Sequence, residues 1–410
     1  MIYRNITSHL ITALSDTPVV FLQGARQTGK STLVQYIAEH DYPALYFTLD
    51  DAAVFLAARQ DPQGFIESLS TPVIIDEVQR VPDLILAIKK RIDKNRKPGQ
   101  FILTGSAQVL VLPKIAESLA GRMEVLTLWP FSRGEITGIR ETFIDRIFES
   151  EIEQKRIPLF SEKELHTILL TGGFPEIFKR KTIERRNAWF GSFITAIIQR
   201  DIRDISRIEG IADLPKLLSL IAARSGKLVN FSDLSADTAL PQTTLKRYMA
   251  LLAASFLSIQ IYPWFTNISK RFVKTPKIYI CDTGIMSYLL SITEQRLSMD
   301  TSLAGQFLET FIIMELIKQK AWSVVKPAIY HYRTHNQKEV DIILEDASKR
   351  IVGLEVKHSV SLKVKDLEGL KDLSSALGKR FKCGLIFYRG DTILPFGNNL
   401  YALPIEYLWR

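Results

Sequence analysis

In the first third of the chain, apolar residues fall in short runs set between stretches of helical periodicity. "PVVFLQ", "PALYFTLDD", "TPVIIDEVQ", "GQFILTGS" and "MEVLTLWP" each read as a strand, and a helix begins near Lys30. Buried runs of this kind, alternating with helices, predict a parallel sheet covered on both faces. From Pro130 to Ile208 the pattern turns helical and charged, with "GGFPE" as a break. Residues 210–265 form a compact helical piece ending in "FLSIQIYPWF". The remainder predicts a helix, then strands "VDIIL", "IVGLEV" and "CGLIFY", with a helix between the last two. The fold class is therefore α/β, and the patterning divides the chain at 1–135, 136–209, 210–295 and 296–410.

The first predicted strand runs into "GARQTGKST", which spans Gly24, Ala25, Arg26, Gln27, Thr28, Gly29, Lys30, Ser31 and Thr32. Its spacing is that of a phosphate cradle: the glycines let backbone N–H groups turn inward around phosphate oxygens. Lys30 would reach the β- and γ-phosphates, and the Ser31 hydroxyl would hold Mg²⁺. The competing reading is a plain glycine turn, but a buried strand before and an amphipathic helix after are the context a cradle needs. Arg26 is a further candidate for a phosphate or inter-subunit contact.

"VIIDEVQR" places Asp76 and Glu77 at the end of an apolar strand. Asp76 suits Mg²⁺ through water, and Glu77 suits polarising an attacking water. At the end of "FILTGSAQ", Thr104 and Ser106 are either polar sensors of the γ-phosphate or caps of the next helix. Arg122, in "SLAGRMEV", is either a cation brought to the γ-phosphate, in cis or from a neighbouring subunit, or a surface ion-pair partner.

Taken in order, "GARQTGKSTL", "IIDEVQR", "FILTGSAQ", "LAGR" and "GGFPE" resemble a group of prokaryotic AAA-superfamily ATPases whose C-terminal half is known only as a domain of unknown function. The resemblance implies an AAA-type P-loop core with Walker A at Gly24–Ser31, Walker B at Asp76–Glu77 and a sensor near Ser106. It further implies ATP with Mg²⁺ and a homo-oligomer.

The middle of the chain has a helix-turn-helix pattern. Ser232 is the expected cap of a first helix, "SADTA" the turn, and Pro241 the opening of a second helix. Gln242, Thr243, Thr244, Lys246 and Arg247 then lie on early turns suited to a major groove, with Leu245, Tyr248, Leu251 and Leu252 left for the core. Lys270, Arg271, Lys274 and Lys277 would form a basic wing for phosphates. The alternative is a winged helix used for protein contacts. Asp282 and Gly284, in "PKIYICDTG", read as a structural turn.

Near the C-terminus, Asp341 sits on one strand while Glu355 and Lys357 alternate on the next and so share a face. With Glu309 on the preceding helix, this is similar to the restriction-endonuclease-like core. There two carboxylates hold Mg²⁺ and a lysine activates water or steadies charge. The alternative is a surface Glu–Lys pair. His331, His335 and His358 lack metal-ligand spacing.

Composition adds limits. Cys281 and Cys383 are the only cysteines, which excludes a disulfide framework and fits a reducing, cytoplasmic compartment. The N-terminus does not read as a signal peptide, and no apolar stretch is long enough to insert in a membrane. A formal charge of +9 favours an anionic partner such as DNA. The expected protein binds and hydrolyses ATP and couples nucleotide state to DNA binding or processing. The alternative is an ATP-dependent scaffold whose rear units bind proteins. A nuclease with a vestigial nucleotide site fits less well, because Lys30, Asp76 and Glu77 are all present.

Overall fold

The computed structural model describes residues 2–108, 119–149, 152, 157–203, 211–334 and 338–409. His335 lies outside them. Strands β1 (Val19–Gln23), β2 (Leu45–Thr48), β3 (Val73–Asp76), β4 (Phe101–Gly105) and β5 (Met123–Thr127) form one sheet of order β2-β3-β4-β1-β5. Every pairing is parallel, with Gln23 opposite both Gly105 and Thr127. Burial on both faces explains the apolar runs. Phe21, Ile75 and Leu103 pack with the helix Leu84–Lys94 on one side, while Val20, Ile74 and Ile102 pack with helices Thr7–Asp16 and Lys30–His40 on the other.

A second unit carries strands β6 (Lys227–Leu228), β7 (Ser258–Ile261) and β8 (Lys277–Ile280) in an antiparallel sheet of order β6-β8-β7. Helices Phe231–Thr238 and Gln242–Ala254 lie between β6 and β7, with Pro241 as the N-cap of the second as expected. Two details differ from the sequence reading. Asn230, not Ser232, caps the first helix, its Oδ1 accepting from the Ser232 and Asp233 amides. "SADT" is helical, and the chain breaks at Ala239, whose φ is 61°. Asparagine two positions earlier satisfies the free amides just as serine would, so the pattern alone did not discriminate.

The last sheet has the order β13-β14-β12-β11-β10-β9. Its strands are β9 (Ala328–Arg333), β10 (Glu339–Glu345), β11 (Ile351–Val356), β12 (Phe381–Tyr388), β13 (Leu394–Pro395) and β14 (Leu400–Pro404). β9, β10 and β11 run antiparallel, whereas β11, β12 and β14 run parallel. The long helix Thr301–Lys320 precedes the sheet, and the helix Glu368–Leu377 connects β11 to β12. One continuous core joins Phe143, Phe190, Leu252, Phe307, Leu354 and Trp409, so the divisions drawn at 209 and 295 pass through shared packing.

Candidate functional site

The Gly24–Thr32 loop leaves the carboxyl end of β1, where open parallel sheets place ligands. Two of its glycines are dictated by geometry. A Cβ on Gly24 would lie 2.2 Å from the Leu128 carbonyl oxygen, and Gly29 adopts a left-handed φ of 94° as it opens the helix Lys30–His40. The Lys30 ammonium folds back on the loop and donates to the Gly24 and Ala25 carbonyls at 2.9 and 2.8 Å. Burial lowers its pKa, against the raising effect of Glu77 and then Asp76. An ammonium held only by two neutral carbonyls, with carboxylates nearby, is suited to anionic phosphate oxygens.

The adjoining strand ends supply the rest. Asp76 is buried and accepts from Tyr46 Oη at 2.7 Å and from Thr104 Oγ1. Thr104 Oγ1 in turn accepts the Glu77 amide at 3.1 Å. Glu77 has a left-handed φ of 60°, an uncommon conformation for a non-glycine residue and one concentrated at functional sites. Gln79 Nε2 donates to the Glu77 carboxylate and to Ser106 Oγ at 3.0 Å. Lys30, Asp76, Glu77, Thr104 and Ser106 thus share one edge of the sheet. Thr104 touches the acidic pair directly, and Ser106 reaches it through Gln79. Ser31 follows Lys30 in the first turn of its helix.

Arg122 is elsewhere. It precedes β5 at the amino edge, its carbonyl accepting the Val19 amide, and its Nε donates to Asp93 at 2.6 Å. Strand direction therefore rules out the cis contact with the γ-phosphate, and the surface ion pair is what the structure contains. Arg26 pairs with Asp201, with Nε–Oδ distances of 2.6 and 2.7 Å, and both charges act on Lys30. Asp201 belongs to a π-helical segment, Ile197–Ile202, that continues the helix Ile183–Ala196. Such wide turns are frequent at functional sites.

Sequence reasoning missed three contributors. Asp201 is one, and Gln79 is another, although it lies within the quoted "DEVQR". The third is Arg4, a buried side chain that braces the loop from below. It donates to the Thr28 carbonyl at 2.8 Å, the Trp129 carbonyl at 2.6 Å and Glu135 at 3.1 Å. Only Gln79 had a local signal.

The C-terminal carboxylates also converge. Bulged pairing between β9 and β10 occurs at Val340–Ile343 and re-aims Asp341. Asp341 Oδ2 accepts the Val356 amide at 3.0 Å, and Glu355 pairs with Lys357 at 3.0 Å, confirming their common face. Burial, then Asp341, pushes the Glu309 carboxyl up to about 7 and raises Glu355 well above its ordinary value.

The expected basic wing is largely internal. Arg271 is buried against Glu345 at 2.6 Å and faces the Trp264 and Tyr330 rings. Lys277 is buried among Glu309, Glu339 and Asp341. Only Lys270 and Lys274 remain exposed. Asp282 takes the structural role expected of it, accepting from the amides of Gly173, Gly284 and Ile285.

Comparison with known proteins assigns the first unit to a described domain and leaves the rest open. Residues 162–296 match a domain of unknown function (DUF8612), and residues 304–408 match another (DUF4143). Uncharacterized proteins of Mycobacterium bovis (Mb2031c) and Mycobacterium tuberculosis (Rv2008c) are each 29% identical over 98% of this chain and 83% of their own length. AMPPCP-bound DnaA from Aquifex aeolicus is 16% identical, covering 61% of this chain and 86% of that one, with a TM-score of 0.30. A variant of Thermotoga maritima RuvB is 17% identical, covering 62% and 88%, with a TM-score of 0.27. Those structural likenesses are too slight to bear on function. No helix among the described residues is long and apolar enough to cross a membrane. Residues 16–137 match an AAA domain, and with their parallel sheet and glycine loop they form an AAA-type P-loop core.

Proposed function

We propose that this chain binds ATP with Mg²⁺, hydrolyses it, and uses nucleotide state to govern contact with DNA through its middle and C-terminal units. The observation that carries the reading is the convergence of Lys30, Asp76, Glu77, Thr104 and Ser106 on one strand edge beside the Gly24–Thr32 loop. The loop amides and Lys30 would hold the phosphates, while Ser31 and Asp76 would hold Mg²⁺. Glu77 polarises water; Thr104 holds the acidic pair in place directly, and Ser106 does so through Gln79. Arg122, at the opposite edge, retains a role only toward a neighbouring subunit. The order α-β-α-α-β-α-β across 214–280 supports a winged helix with a short helix, Ile268–Val273, set between its last two strands, and Gln242, Thr243, Lys246 and Arg247 are exposed on the helix Gln242–Ala254. The helix–three strands–helix–strand order from Thr301 supports a restriction-endonuclease-like unit.

A second reading, an ATP-dependent scaffold that binds proteins, is favoured by one observation: Arg271 and Lys277 spend their charges inside the molecule. ATP turnover with and without DNA, at fixed salt, separates the two. Stimulation by DNA is the expected result, and indifference favours the scaffold. Glu77→Gln should retain ATP binding and lose turnover by two orders of magnitude or more, about 10²–10⁴-fold for a positioned base. Undiminished turnover would remove Glu77 from the reaction.

A further inference from the structure

The acidic cluster at the C-terminal sheet already holds a cation, and that cation belongs to the chain. Lys277 stands on β8, in the small sheet of the middle unit, yet its side chain is only 3% exposed and reaches into the neighbouring unit. Its ammonium lies 3.0 Å from Glu309, 3.1 Å from Glu339 and 3.4 Å from Asp341. Tyr279, on the same face of β8, donates its hydroxyl to Glu309 at 2.6 Å. Three carboxylates match the three N–H donors of an ammonium.

A divalent ion would compete for the same oxygens. It needs them drawn in to about 2.0–2.6 Å around one centre, a space the Lys277 nitrogen fills. Among the described residues, no group of three or more His, Cys, Asp or Glu side chains is arranged to hold a metal ion. We infer that Lys277 is the resident counter-ion of the Glu309–Glu339–Asp341 cluster: it clamps β8 to the C-terminal sheet and excludes Mg²⁺ or Mn²⁺ while that contact persists. A metal-dependent reaction there would first require β8 to withdraw. This goes beyond the nuclease-like reading and stands apart from ATP hydrolysis.

Mn²⁺ and Fe²⁺ are suitable probes, without nucleotide. With hydrogen peroxide as oxidant and ascorbate to restore Fe²⁺, bound iron releases hydroxyl radicals that cut the backbone beside it in the unmodified 410-residue chain. The expected result is no cutting between 339 and 357, and cutting there would overturn the inference. Lys277→Met should then acquire an Asp341-dependent Mn²⁺ site at least ten-fold tighter than any in the parent, read by electron paramagnetic resonance of free Mn²⁺. A folded Lys277→Met chain that gains no such site would also overturn it. If that variant does not fold, the result on the unmodified chain decides. Loss of DNA stimulation of ATP turnover would sink the proposed function without moving either metal readout.

Discussion

At the scale of single residues, Glu141 shows how far burial can move a charge. Its carboxyl is pushed up to about 8, first by desolvation and then by Glu315, although it accepts from Ser132, Gly134 and Asn5. A carboxyl whose folded pKa is raised holds its proton longer folded than unfolded. Its contribution to stability is therefore complete below about 4.5 and is lost as pH rises through about 8. Glu141→Gln should flatten the fall in melting temperature across that window, whatever it does to the absolute value. An unchanged slope would place the titration elsewhere. Lys30→Ala should reduce ATP affinity by at least two orders of magnitude in a calorimetric titration, because it removes the only loop ammonium facing the phosphates. Lys30, Asp76 and Glu77 were legible in the sequence because cradle and strand-end carboxylates are local patterns. Arg4 and Asp201 were not, since their partners lie up to 131 and 175 positions away. For Arg122 the two readings stayed open because a short motif does not encode strand direction, and the ion pair with Asp93 is the one found.

At the scale of elements, the helix Gln242–Ala254 buries Leu245, Tyr248, Leu251 and Leu252 and leaves Lys246 and Arg247 facing outward. The 3.6-residue period made this legible. If the helix contacts phosphates, reversing Lys246 and Arg247 to Glu should weaken DNA binding and lower the salt slope by about two, roughly one per lost phosphate contact. Fluorescence anisotropy across a salt series reads both, and an unchanged slope would leave the helix to protein partners. The strand Lys277–Ile280 was not legible in the same way. Lys277 was read as part of a basic wing, and nothing in "PKIYI" tells that Glu309 and Asp341, 32 and 64 positions later, will surround it. A basic residue on a strand reads as exposed until the acid opposite it is known.

At the scale of the whole molecule, the P-loop core keeps separate apolar clusters on its two faces, while residues 143–409 share a core to which the P-loop core adds Ala25. The strand and helix order foretold the layers but not this fusion, because periodicity identifies a buried face without naming what covers it. A fragment spanning 136–295 should therefore fail to unfold cooperatively in a calorimeter, whereas the intact chain should melt its middle and C-terminal units together. Arg271→Ala should lower that shared transition at a cost of about 1.5–3 kcal/mol, since it removes the shortest ion pair of the buried Glu345 carboxylate, which keeps Arg380, Lys349 and the Trp264 indole, and takes away one of the two guanidinium groups that face Trp264. The Arg4 brace carries the same interdependence to the amino terminus. A fusion tag or shortened start that displaces the fourth residue would free the Thr28 carbonyl and slacken the turn that must grip a triphosphate, so expression designs should leave the opening peptide intact.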